Sequence, residues 1–132
     1  MTVTLESYRD LLAQKAPLAN LGTVMADGTP QVTPVWFDWD GTHIRVNSAK
    51  GRLKDLNMRA RAAVAVSIVD PDNIYRYLSI RGRVVEVTEQ GADAHIDALA
   101  KKYLGADTYP FRDPTEERIT VRVIPEHRSG MA

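Results

Sequence analysis

The sequence predicts a mostly β protein: a small, largely antiparallel barrel of six short strands with a few modest helices. Three observations carry that expectation. Extended stretches recur with turn signals between them, at Asp27-Gly28, Asp40-Gly41 and Asp70-Pro71. Helical patterns are too few and too unevenly placed for a sheet wound with alternating helices. In the longest extended stretch Leu78 and Ile80 share one parity and Val85 and Val87 the other, so a bulge is predicted near Gly82 to Val84. Bulges bend strands, and bent strands close barrels. The 132 residues suit one domain over residues 1–132 with a real core.

Taken in order, Leu5, Tyr8, Leu11 and Leu12 fall at helical spacing after Thr4, and Pro17 stops the pattern. Asn20 to Ala26 predicts a strand, and Gln31 to Asp38 returns beside it as one continuous hairpin arm. Thr42 to Asn47 follows the Asp40-Gly41 turn as a third strand. A short helix is then expected to about Met58, capped by Ser48, with Gly51 allowing close backbone approach. Ala62 to Val69 is apolar at nearly every position and reads as a strand buried on both faces. Arg76 to Thr88 is the long, bulged strand. Ile96, Leu99, Ala100, Tyr103 and Leu104 predict a second amphipathic helix ended by Gly105, and Ile119, Val121 and Val123 mark the last strand. The tail from Pro125 to Ala132 reads as partly ordered or crossing to a partner.

Charge and composition exclude several functions. Lys plus Arg equals Asp plus Glu at 17 each, so no global field draws the chain to nucleic acid or an anionic membrane. Any anion must be bound locally. The absence of cysteine removes disulfides, thiolate metal sites and thiol nucleophiles. The first thirty residues show no basic region leading into an apolar one, and no apolar run approaches ~20 residues, so a cytoplasmic protein is expected. His43, His95 and His127 stand far apart with no pair at metal-ligand spacing, and each reads as structural or exposed. Asp38 and Asp40 sit at a strand end, where turn formation explains acids more often than acid–base chemistry does.

Two stretches point to binding. From Arg45 to Lys54 there are four cations, and no acid occurs between Asp40 and Asp55. With the free amides of a helix start, Lys50, Arg52 and Lys54 would make a phosphate seat. The other reading is the solvated face of a surface helix. In Gln31-Val32-Thr33-Pro34-Val35-Trp36, a proline inside a strand deletes one ladder donor. Either that strand is an edge, or a flat ligand lies along its backbone.

The order and spacing of these pieces resemble the pyridoxamine-phosphate-oxidase-like, split-barrel flavoprotein superfamily, and within it the small enzymes that use the deazaflavin coenzyme F420. The markers are Leu-Gly-Thr-Val with Asp-Gly-Thr-Pro-Gln-Val, the Ser48 to Lys54 stretch with Asn57, Tyr75 to Gly82, Lys-Lys-Tyr-Leu-Gly, and Glu-Arg before the last strand. The resemblance implies a six-stranded, Greek-key-like split barrel, a homodimer with two cofactor sites at its interface, and hydride transfer to an unsaturated or conjugated small molecule. It places the cofactor phosphate on Ser48, Arg52 and Lys54, with Asn47, Lys50 and Asn57 nearby. The ring would lie along Gln31, Val32, Thr33, Pro34, Val35 and Trp36, and the partner chain would contribute Tyr75, Arg76 and Tyr77. FMN is the alternative cofactor, and a non-catalytic cofactor- or tetrapyrrole-binding module is the alternative class. No side chain is singled out as catalytic. Two departures stand out: Arg59-Ala60-Arg61-Ala62 replaces the family's Asp-Pro turn, and no C-terminal arginine motif of pyridoxine phosphate oxidases is visible.

Overall fold

The computed structural model describes residues 4–131. It holds one antiparallel sheet of seven strands: β1 (Ala19–Val24), β2 (Pro30–Val35), β3 (Phe37–Trp39), β4 (Ile44–Ala49), β5 (Ala63–Asp70), β6 (Asn73–Thr88) and β7 (Arg118–Met131). Two α-helices, α1 (Leu53–Ala60) and α2 (Ala92–Leu104), and two short N-terminal helical pieces complete it. Among the described residues no helix is long and apolar enough to cross a membrane.

The strand order β2-β1-β5-β6-β7-β4-β3 puts β2 and β3 at opposite edges, although only Trp36 separates them in the chain. The sheet must therefore curl until its edges meet at Trp36, which makes a half-barrel. The six expected strands become seven because the arm read as Gln31 to Asp38 divides there. β2 pairs with β1, and β3 pairs with β4. The cause lies in α2. The Tyr103 hydroxyl accepts the Phe37 amide at 3.2 Å and donates to the Pro17 carbonyl at 2.7 Å, and Lys102 Nζ donates to the Phe37 carbonyl at 2.7 Å. Side chains replace the ladder partners that a continuous strand would need.

The bulges that bend the sheet are present. The β6–β7 register shifts between Arg81 and Gly82 and again between Val84 and Glu86. The tail that read as partly ordered or crossing to a partner instead extends β7 along β6 as far as Met131; Ala132 lies outside the described residues. The core lies on the concave face, where Phe37, Ile44, Val46, Ile68, Leu78, Ile80, Ile119, Val121 and Val123 meet Leu11, Leu12 and Tyr8 from the N-terminal segment. That segment is a 3-10 turn (Glu6–Tyr8) followed by a π-helical stretch (Asp10–Gln14), not the regular amphipathic helix the spacing suggests.

β5 corrects a second expectation. It is not buried on both faces: Val64, Val66 and Ile68 point inward, while Ala63, Ala65 and Val69 are exposed. With Pro30 and Val32 of β2 they leave an apolar stripe on the convex face, beside a groove of about 450 Å³. Continuous apolarity in the sequence cannot distinguish a covered outer face from an open one.

One prediction arises from the Tyr103 clamp. Burial pushes its hydroxyl up to about 12, above the usual tyrosine range. A group whose folded pKa is raised stabilises the fold fully below its unfolded value, near 10, and the contribution is lost as pH rises toward 12. Tyr103→Phe is expected to cost about 1–3 kcal/mol at pH 7, because the Phe37 amide loses its partner, and to flatten the decline in stability above pH 10. Urea unfolding of both proteins at pH 7 and 11 measures this. An unchanged midpoint at pH 7 would remove the clamp.

Candidate functional site: a cationic and aromatic cleft

A cleft of about 290 Å³ opens where the two sheet edges meet, between the Trp36 junction, α2, the start of α1 and the segment after α2. At one end stand Arg52, Lys54, Arg118 and Asn47; at the other are Pro34, Val35, Trp36, Tyr109, Phe111 and Leu18, with Ile96 and Leu99 on the α2 side. No carboxylate or histidine is among its lining residues.

The cationic end follows from local sequence. β4 parity turns Asn47 outward toward α2 and Ser48 inward with Val46 and Ile44. Gly51 then turns the chain at φ 89°, and the helix begins at Leu53. Ser48 therefore does not cap α1, contrary to the sequence reading, since Arg52 occupies the cap position with no side-chain cap bond. The amide of Gly51 is taken by the buried Asp55 carboxylate at 2.7 Å, and that of Arg52 donates to the Ala49 carbonyl. The two amides ahead of the helix are thus consumed, and the side-chain cations remain beside its first turn.

Those cations outnumber their acids. Glu116 accepts from Arg52 at 2.9 Å and from Arg118 at 3.2 Å, so one carboxylate serves two guanidinium groups. Lys54 makes no ion pair among the described residues. Burial pulls its ammonium below the usual lysine range, and repulsion from Arg52 and Arg118 adds to that. An anion bound here would relieve all three.

The aromatic end is ordered by mutual packing. Trp36 stacks on Tyr103 with centroids 5.3 Å apart and planes within 5°, and meets Tyr109 edge-on at 6.0 Å. Tyr109 is fixed twice: its amide donates to Asp97 at 2.8 Å, and the Arg118 guanidinium lies 5.4 Å from its ring centre. Asp97 also accepts from Arg112 at 2.7 Å, which pins the segment after α2 to that helix.

Of the residues expected at a cofactor, the cleft gathers Pro34, Val35, Trp36, Asn47, Arg52 and Lys54. Thr33 and Ser48 do not line it, yet each has a buried hydroxyl oxygen with no hydrogen-bond partner. Gln31 and Asn57 instead meet at Thr23, whose hydroxyl donates to Gln31 at 3.2 Å and accepts from Asn57 at 3.1 Å. Val32 faces the convex groove. Lys50 turns away toward Glu89 and Glu117, each at 3.4 Å, which hold its ammonium above the usual range. Arg76 lies in an ion network with Asp10 and Asp70, joining the N-terminal segment to the β5–β6 turn, and beside it Tyr75 and Tyr77 are exposed. None of these three lines the cleft of its own chain.

Arg118, Tyr109 and Phe111 were missed. The sequence did carry a signal for the first, the Glu-Arg pair before the last strand, but nothing in a loop of mixed composition marks the other two. Asp40 proves to be turn-forming: it accepts the amides of Thr42 and His43 at 2.9 and 2.6 Å, which lowers its carboxyl to about 2. Asp38 is different, gripped by Arg45 through two 2.8 Å bonds.

A half-barrel of antiparallel strands with few helices is the split-barrel architecture. Within that class, residues 5–129 match the family described as pyridoxamine 5'-phosphate oxidase, and the chain belongs to it. No curated protein sequence matches. Among solved structures, one named F420 reductase is 36% identical, with a TM-score of 0.80 over 92% of this chain and 94% of that one. A conserved hypothetical protein of Mycobacterium tuberculosis is 20% identical, with a TM-score of 0.77 over 98% of this chain and 85% of that one. HupZ of Group A Streptococcus is 20% identical as well, with a TM-score of 0.66 over 98% and 94%. At that identity the last two show the fold alone.

Proposed function

We propose that this protein is a coenzyme F420-dependent oxidoreductase that passes hydride to an unsaturated or conjugated small molecule. The observation that carries the reading is the half-buried Lys54, set beside Arg52 and Arg118 without a carboxylate of its own, at the end of a cleft whose other wall is aromatic. A phosphate-bearing cofactor with a flat ring has the complementary shape and charge. The solved F420 reductase at 36% identity supports the choice of a deazaflavin.

When bound, that cofactor supplies the hydride. The chain's residues then have three tasks. Lys54, Arg52 and Arg118 hold the anionic end. Pro34, Val35 and Trp36 would flank the ring. Tyr109 and Phe111 keep water from the reacting face. With no carboxylate or histidine lining the cleft, the protein contributes position and electrostatics more than proton transfer.

The same reading makes the protein a homodimer, with the apolar stripe of Val32, Ala63, Ala65 and Val69 covered by a second copy and Tyr75 and Tyr77 reaching the partner's cleft. Fluorescence titration with F420 and with FMN, then mixing of the reduced deazaflavin with enones, quinones and biliverdin, tests the function. Tight F420 binding with oxidation by at least one acceptor is expected. Preferential FMN binding would redirect the cofactor, and binding without turnover across the panel would make the protein a carrier. Sedimentation showing a monomer with cofactor present would remove the shared site.

A further inference from the structure

Arg118 depends on a chain of buried groups for its aim. Its side chain is only 8% exposed, and its Nε donates to Asn47 Oδ1 at 2.8 Å. Asn47 can offer that oxygen because its other end is committed: Nδ2 donates to the Ala92 carbonyl at 2.9 Å and lies 3.2 Å from His95 Nδ1. A flipped amide would set oxygen against the Ala92 carbonyl, so the orientation is fixed. A ring nitrogen that faces an amide donor must be a bare acceptor. The His95 proton therefore sits on Nε2, which is 3.2 Å from Asp38 Oδ2 but poorly aligned for a hydrogen bond. The Thr120 hydroxyl also lies 3.2 Å from Nδ1, and it can either donate or accept.

We propose that His95 is a positioning residue of the cleft, acting through Asn47 to hold the Arg118 guanidinium where an anion binds. The inference rests on the cleft being an anion site, but its geometry exists without cofactor. Proton uptake at Nδ1 turns that acceptor into a donor facing a donor. Thr120 can answer by rotating its hydroxyl, whereas Asn47 must withdraw, and Arg118 loses its acceptor. The charged groups around the ring are Asp38 on the Nε2 side, Arg45 on the same carboxylate with Lys102 also close to it, and Arg118 behind Asn47. The loss at Asn47 is one of hydrogen-bond direction.

Two measurements test this. In cofactor-free protein labelled with nitrogen-15, His95 is expected as the Nε2–H tautomer, and the Arg118 Nε–H resonance should shift in step with the His95 ring titration. In Asn47→Ala that coupling should vanish. A ring protonated at Nδ1 in its neutral form, or an Arg118 resonance indifferent to the titration, would overturn the inference. The second measurement is a double-mutant cycle read with F420 and, separately, inorganic pyrophosphate. Arg118→Ala should weaken binding about tenfold or more, His95→Gln by about three- to tenfold, and the double variant no further than Arg118→Ala alone. Multiplying effects would mean that His95 does not work through Arg118. If pyrophosphate shows the coupling and F420 does not bind, the cofactor assignment fails and this inference stands. Should neither probe bind, the resonance measurement decides alone.

Discussion

Lys54→Ala is expected to weaken F420 binding by roughly 10- to 150-fold, the worth of one charge-assisted hydrogen bond of about 1.5–3 kcal/mol. The thermal midpoint without ligand should stay level or rise, because the ammonium is desolvated and repelled by Arg52 and Arg118 in the free protein. That combination, poorer binding without poorer folding, separates a functional cation from a structural one. Arg52→Ala should have a smaller effect, since its guanidinium already holds Glu116 and must trade that partner for the ligand. Lys50→Ala should be nearly silent: its ammonium faces Glu89 and Glu117 and is 47% exposed. Titration of the three variants ranks them, and a Lys54 variant that binds as well as the parent would leave the cleft without its defining contact.

The largest stability effect is expected at Gly82. A Cβ added there would press into the carbonyl of Ile124 on β7, a backbone group that cannot turn aside as a side-chain tip would. Overpacking of this kind costs about 1–3 kcal/mol or more, so Gly82→Ala should lower the melting temperature by roughly 4–12 °C. Gly28, at a turn with φ 88° and open space around it, is the control; alanine there meets only backbone strain of about 1 kcal/mol. Thermal melts of both variants measure the difference. If Gly82→Ala melted within a degree of the parent, the close approach of β6 to β7 at the bulge would not be a constraint on the fold.

The bulge was legible from a parity change along the strand, although only in part: Val84 still shares the inward face of Leu78 and Ile80, Val85 is exposed at the shift, and Val87 resumes the inward face. α2 was legible through its spacing and through Gly105. The division at Trp36 was not, since the atoms that cause it belong to Lys102 and Tyr103, some 65 residues away. Sequence pattern records what a residue prefers, not which distant donor meets its backbone. The open outer face of β5 escaped for a related reason, as alanine and valine look alike whether covered or not. At the cleft, clustering of charge located Arg52 and Lys54 but also drew in Lys50, whose direction depends on Glu89 and Glu117, both brought close only by the folded chain. Arg118 entered from another strand altogether, as β7 runs beside β4.

The junction at Trp36 carries a consequence for any mutation placed there. Two neighbouring peptide units both close the half-barrel and form the wall of the cleft, so the chain cannot loosen one without loosening the other. Affinity measured for a variant at Trp36 or Phe37 is then the product of two quantities: the intrinsic strength of contact, and the fraction of molecules whose seam is shut when the ligand arrives. A substitution that never touches the ligand can still dilute the competent population, and tight binding can in turn mask a seam that opens often.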